Sequence, residues 1–275
     1  MVPGLSGRAA AAPYAWLVLP IVRATRYVLP LREGGSMPGL VEADDDGMYV
    51  VKFKGAGQGL KVLVAEVVVG LIGRRSGVHV PELAVVDLDA AIAKYEADEE
   101  VQDLLDASLG TNLGLDFLPG SFGYDGSRLP APADAEAILW LDAFTANVDR
   151  TWNNPNLLWW HDHLAAIDHG AALYFHHGWP SKAPSPERFA AQKFDTSRHV
   201  LLDAVGDLRD VAARHEEFAA LLTRDALTEI VDAVPVEWLE TMEHLPDVTA
   251  VRRAYVDCLT ARLATPAAWL PGGAA

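Results

Sequence analysis

The chain has 275 residues, 51% hydrophobic and 22% charged, a balance that excludes a wholly disordered polymer and allows a substantial core. Its 22 Lys and Arg stand against 38 Asp and Glu, a formal net charge of −16 with no basic run to offset it, which disfavours direct binding to nucleic acid or an anionic membrane face. The single cysteine, Cys258, excludes an intrachain disulfide, and no Cys/His cluster has zinc-site spacing; both suit a reducing cytoplasm, the expected location.

In chain order, the apolar stretch 9–22 follows Arg8 but is interrupted by Pro13 and Pro20 and is too short to cross a membrane. It reads as an extended arm or first strand. Residues 25–32 form a predicted strand running into Gly34-Gly35-Ser36-Met37-Pro38-Gly39. A second strand is expected at 40–43, a turn at Asp44-Asp45-Asp46-Gly47, and a third strand at 48–53. Residues 61–75 carry apolar residues at helical spacing with few breakers. A strand is expected at 80–87, partly helical structure at 89–109, and a short apolar strand at 112–118, stopped by Pro119-Gly120. That dipeptide divides a small β-rich part, 1–118, from a larger helical part, 119–275.

Beyond the joint, 132–147 is an expected amphipathic helix whose end delivers Asp149 into a loop. Two short strands, 156–160 and 164–167, flank a turn at His161-Asp162-His163. Segments 200–222, 228–243 and 248–264 read as a helical bundle. The fold class is therefore α+β.

Phosphoryl transfer needs mainly positioning and charge neutralisation. Its parts are a Gly-rich turn over the phosphates, a lysine to hold them, a carboxylate to fix that lysine, an aspartate for the acceptor hydroxyl, and Asn and Asp for metal. Candidates occur in the required chain order. Asp149 and Asn154 stand in a D-x-x-x-x-N relation, and Asp168 follows the second hairpin strand in Asp-His-Gly. Lys52 sits mid-strand in Val-Val-Lys-Phe, Glu66 lies on the next predicted helix, and the turn at 34–39 precedes both.

Those segments, with Val80-Pro81-Glu82-Leu83, Leu115-Asp116-Phe117-Leu118-Pro119-Gly120 and Asn147-Val148-Asp149-Arg150-Thr151, resemble the HipA-like kinases, in the short form lacking an extra N-terminal subdomain. The resemblance spans Gly34 to Gly170. It implies a two-lobed protein-kinase-like fold, with Mg-ATP as cofactor. It implies that Gly34, Gly35, Ser36 and Lys52 contact the phosphates and that Glu66 partners Lys52. Asp149 would be the catalytic base, Asn154 and Asp168 the Mg2+ ligands, and Asp116, Phe117 and Leu118 the hinge against adenine. Asn147 matches the family's Asn two positions before the catalytic Asp. Two departures stand out: the turn is not G-x-G-x-x-G, and no long activation segment ending in Ala-Pro-Glu is present.

Blander readings stand beside these. Asp149 and Asn154 could bond their own loop, Lys52 could guard a sheet edge, and Glu66 could belong to a solvated helix face. Ser36 is a turn residue, a phosphate contact or an autophosphorylation site. His161 and His163 suit a solvated turn better than a metal. His169 could hydrogen-bond near the metal or pack in the core. Arg150 could bind a substrate phosphate or pair with an acid. The expected function is transfer of the ATP γ-phosphate to a protein Ser or Thr, with autophosphorylation. A small-molecule alcohol acceptor and a non-catalytic ATP-binding or toxin–antitoxin module are the alternatives.

Overall fold

The computed structural model describes residues 18–31, 37–94 and 96–273. The Gly34-Gly35-Ser36 expectations, and residues 9–17 of the apolar arm, lie outside them.

The N-terminal part is β-rich. Strands β1 (Ile21–Pro30), β2 (Gly39–Ala43), β3 (Met48–Lys52), β4 (Leu83–Leu88) and β5 (Gly110–Asp116) close into a barrel in the order β1-β2-β3-β5-β4. β1 runs parallel to β4, and the other pairs are antiparallel. The Asp44–Gly47 turn joins β2 to β3 as expected, with the Asp45 carboxylate accepting the Gly47 N–H at 3.0 Å. Alternation along β3 sends Tyr49, Val51 and the following Phe53 into the barrel core, where Val22, Val41, Val86 and Leu105 meet them. Val50 and Lys52 consequently face the other way. Gly114 of β5 permits this packing, because a Cβ there would lie 2.6 Å from Val86 Cγ2.

Helix α1 (Leu60–Arg75) follows β3, and every residue from Leu63 to Gly73 is buried. That explains its breaker-free, nearly all-apolar sequence: it packs both on the barrel and on the helices of the C-terminal part, inside the main core. Short helices α2 (Ala90–Ala93) and α3 (Glu99–Ala107) start on Asp89 and Asp98, whose carboxylates cap the first backbone N–H groups. β4 begins at Leu83 rather than at residue 80, since Pro81 has no N–H to give to a ladder.

The C-terminal part is mostly helical. After β6 (Phe122–Gly123), α4 (Pro132–Thr145) opens with Pro132 and ends at Ala146 in the left-handed region, φ 56°. β7 (Leu157–Trp160) and β8 (His163–Ala166) form a hairpin, with β6 on the outer edge of β7. α5 (Pro186–Ala190), α6 (Leu208–Ala213), α7 (His215–Leu221), α8 (Arg224–Asp232) and α9 (Val248–Leu263) follow. The expected helix at 200–222 is interrupted: 200–205 is a run of turns, Asp207 starts α6, and α7 restarts after Arg214. The one expected at 228–243 ends at Asp232, because Pro235 cannot continue it, and a 3-10 turn follows at Val236–Trp238. Among the described residues, no helix is long and apolar enough to cross a membrane.

Candidate functional site

A cleft of about 790 Å³ opens between the barrel and the C-terminal part. Val50, Lys52, Leu115, Asp116, Phe117 and Leu118 line one side; Asp149, Asn154, Leu157, Ile167 and Asp168 line the other. A smaller cavity, about 330 Å³, lies at Thr25, Arg26, Ala91 and Glu96, away from all of these groups.

On the barrel side, Lys52 is 8% exposed and its Nζ donates to Glu66 Oε1 at 2.5 Å and to Asp168 Oδ1 at 2.7 Å. Glu66 is fully buried in α1, so neither a sheet-edge lysine nor a solvated glutamate describes this pair. Burial pushes the Glu66 carboxyl above its ordinary range despite the lysine beside it, and among the described residues its Oε2 has no hydrogen-bond partner. Burial also opposes the charge on Asp168, but the Lys52 ammonium outweighs it and holds that carboxyl low. For Lys52, burial is likewise outweighed by the two carboxylates, which raise it. Asp168 adopts φ 53°, and Gly170 behind it is required sterically: a Cβ would sit 2.5 Å from Val62 Cγ1 on α1.

On the opposite side, the end of α4 sets the loop. The Asn147 N–H bonds the Asp142 carbonyl at 2.8 Å, and its side-chain Nδ2 donates to Asp142 Oδ1 at 3.0 Å. Asn147 Oδ1 in turn accepts the Asp149 N–H at 3.3 Å. The Asp149 side chain is exposed to the cleft, and its Oδ2 accepts from Asn154 Nδ2 at 2.7 Å. Asp168 Oδ2 and Asn154 Oδ1 remain outside these bonds. Both are hard oxygen donors, the kind Mg2+ takes alongside water and phosphate oxygens. Among the described residues, no three His, Cys, Asp or Glu side chains group as a metal-binding set, and His161 and His163 are exposed on the β7–β8 turn.

Arg150 is 1% exposed, which rules out a substrate-phosphate contact. Its Nε and one Nη bond both Asp142 oxygens, at 2.5 and 3.3 Å. The remaining donors reach the Asn156 carbonyl at 2.5 Å, the Ile167 carbonyl at 3.2 Å and His169 Nδ1 at 3.3 Å. All five guanidinium N–H groups are thus engaged. They tie α4, the end of the loop and the Asp-His-Gly segment together. Burial opposes ionisation of Asp142, but Arg150 and the hydrogen bond from His199 overcome it and bring its carboxyl down to about 2. His169 lies in the core, brought down to about 3 by burial and then by Arg150, so it stays neutral.

Asp142 and His199 went unread in the sequence. Asp142 had a signal: it is the lone acid in the apolar run from Ala137 to Thr145, where an unpaired carboxylate would be costly. His199 sits in an irregular stretch with no pattern to mark it. At the expected hinge, the Asp116 and Phe117 N–H groups are committed to the Glu82 and Met48 carbonyls, at 2.8 and 2.9 Å. The Leu118 N–H has no acceptor among the described residues. Trp152 is half exposed and stacks on Tyr124 at 6.0 Å.

A family model described as HipA-like kinase matches residues 25–270. No curated protein matches the chain. Among solved structures, the chain is similar to a crystal structure of a Helicobacter pylori proinflammatory kinase, CtkA. The identity is 12%, the TM-score 0.50, and the match covers 86% of this chain and 90% of that one. At that identity the likeness is one of fold.

Proposed function

Because the chain belongs to the HipA-like kinase family, we propose that it transfers the γ-phosphoryl group of Mg-ATP to a hydroxyl acceptor in the cleft between two kinase-like lobes. The joint of those lobes is the Pro119-Gly120 dipeptide. The observation that carries this reading is the meeting of Lys52 and Glu66, on one side of the cleft, with Asp168, on the side that carries Asp149 and Asn154.

In this reading Lys52, held by Glu66, binds the ATP phosphates. Val50, Leu115 and Leu157 enclose the base, and the Leu118 N–H is the hinge donor toward it. Asp168 and Asn154 would hold Mg2+, which when bound offsets the charge of the phosphates. Asp149 accepts the proton of the acceptor hydroxyl as that oxygen bonds to the γ-phosphorus. The bond from the γ-phosphorus to the bridging oxygen breaks, and ADP leaves with the electron pair. The family resemblance favours a protein Ser or Thr as acceptor, with autophosphorylation.

Intact-mass measurement after incubation with Mg-ATP tests the reading. The wild type is expected to gain phosphate and Asp149→Ala to gain none; Asp168→Ala is expected to lose Mg-dependent ATP binding. Equal phosphate gain in wild type and Asp149→Ala would sink the assignment of the base. ATP binding with no transfer to the protein, to Ser/Thr peptides or to small alcohols would instead favour the non-catalytic module.

A further inference from the structure

We propose that Asp142 and His199 are positioning residues that set Asp149 for transfer by clamping the segment after Asp168 onto the end of α4. The inference rests on the phosphotransfer reading above and extends it to two residues that never face the cleft.

The segment is pinned at both ends to the last turn of α4. At its start, the Leu173 N–H bonds the Thr145 carbonyl at 2.9 Å. At its end, His199 Nε2 meets Asp142 Oδ2 at 2.9 Å. His199 Nδ1 accepts the Leu201 N–H at 3.2 Å, so its proton resides on Nε2 and is donated to Asp142. The same end lies along the loop itself: the Val200 N–H bonds the Arg150 carbonyl at 3.1 Å, and Thr151 bridges to His199.

Asp142 receives His199, Arg150 and Asn147 together, and all three arrive buried. Asn147 passes the constraint on by accepting the Asp149 N–H. Arg150 passes it to the Ile167 carbonyl and His169, on either side of Asp168. One carboxylate thereby fixes the backbone of the proposed base and that of the proposed metal ligand. Among the described residues, His199 is the one contributor to it from outside the α4 end and loop, so it couples seating of the 173–199 segment to the geometry of both. Displacement of a reacting group by about an ångström can cost on the order of 100-fold in rate.

The test compares His199→Gln, which keeps an N–H near Asp142, with His199→Met, which keeps bulk and removes the donor. ADP release is followed with Mg-ATP and a degenerate Ser/Thr peptide mixture, the protein itself being a further acceptor. His199→Met is expected to lower kcat roughly 10- to 100-fold, with KM for ATP within about twofold. His199→Gln should recover most of that loss. Amide hydrogen exchange at Asp149 should rise in the Met variant and stay near wild type in the Gln variant, a readout independent of turnover. Matching kcat and matching Asp149 exchange in the two variants would overturn the positioning role. So would a joint loss of kcat and ATP affinity in both, which marks general unfolding. A wild type that binds ATP but releases no ADP would instead count against the phosphotransfer reading, and the exchange comparison would still decide whether His199 sets the loop.

Discussion

Arg262 carries a charge into the core and finds no carboxylate among the described residues. It bonds instead to four backbone carbonyls: Ala143 and Phe144 at the end of α4, and Phe189 and Gln192 around α5, all within 2.6 to 2.8 Å. The guanidinium also lies over the Phe189 and Trp269 rings, at 4.6 and 5.1 Å. Burial alone lowers it to about 9, still high enough to leave it charged at neutral pH. Here the cation meets the negative end of α4, directly before the loop that carries Asp149. Arg262→Met orphans those carbonyls and should cost about 3 kcal/mol, a fall in Tm of roughly 6–12 °C by the usual scaling for this size. A thermal melt that leaves Tm in place would refute that role. His169 and His176 make a second prediction at this scale. Burial is the largest cause in both, lowering His169 to about 3 and His176 well below the ordinary range. Their folded-state values lie below the unfolded one, so their neutral forms stabilise the fold above about pH 6.5. That contribution is lost as pH falls below 6.5, by up to about 1.4 kcal/mol per pH unit for each histidine. Tm should therefore drop between pH 7 and pH 5, and a flat profile would contradict it.

Helix α1 joins the two parts of the molecule, and its closeness to the Asp-His-Gly segment sets the Lys52–Asp168 contact. Gly170→Ala would push Val62 and α1 away from Asp168. It should cost about 1–3 kcal/mol of stability and reduce ADP release on the order of 10-fold or more; unchanged turnover would show that the close approach is dispensable. The same element explains what was legible in the sequence. α1 was readable because helical spacing without breakers leaves few alternatives, and the β2–β3 hairpin because Asp-Gly at 46–47 announces its turn. Lys52 and Glu66 were legible as a strand lysine followed by a helical glutamate, and their contact was found as expected. The ends of elements were less readable. Pro81 delayed β4 and Pro235 ended α8, both visible residues whose local effect outweighs a longer apolar pattern. β6 has only two residues and carries no alternation at all. His199 reaches Asp142 from far along the chain, so only tertiary structure joins them. The role of Arg150 stayed open for the same reason, since its five acceptors come from three separate stretches.

At the scale of the whole molecule, a β-rich barrel and a helical C-terminal part enclose one cleft, and both contribute polar groups to it. The barrel and α1 supply Lys52 and Glu66; the end of α4 and the hairpin supply Asp149, Asn154 and Asp168. The acidic net charge of −16 gives that division a consequence, because the charged groups among the described lining residues are the Lys52 cation and the carboxylates of Asp116, Asp149 and Asp168. Divalent metal should therefore be required for ATP to bind, and chelation should abolish binding in the wild type; metal-independent affinity would contradict this. In the proposed reaction Asp149 drives transfer in a cleft that other residues prepare. ADP release with Mg-ATP, measured on wild type and Asp149→Ala alongside ATP binding to each, tests it most directly. Comparable ATP binding and a loss of turnover of roughly 100- to 10,000-fold are expected in the variant. Turnover that persists in Asp149→Ala at the wild-type rate would contradict it.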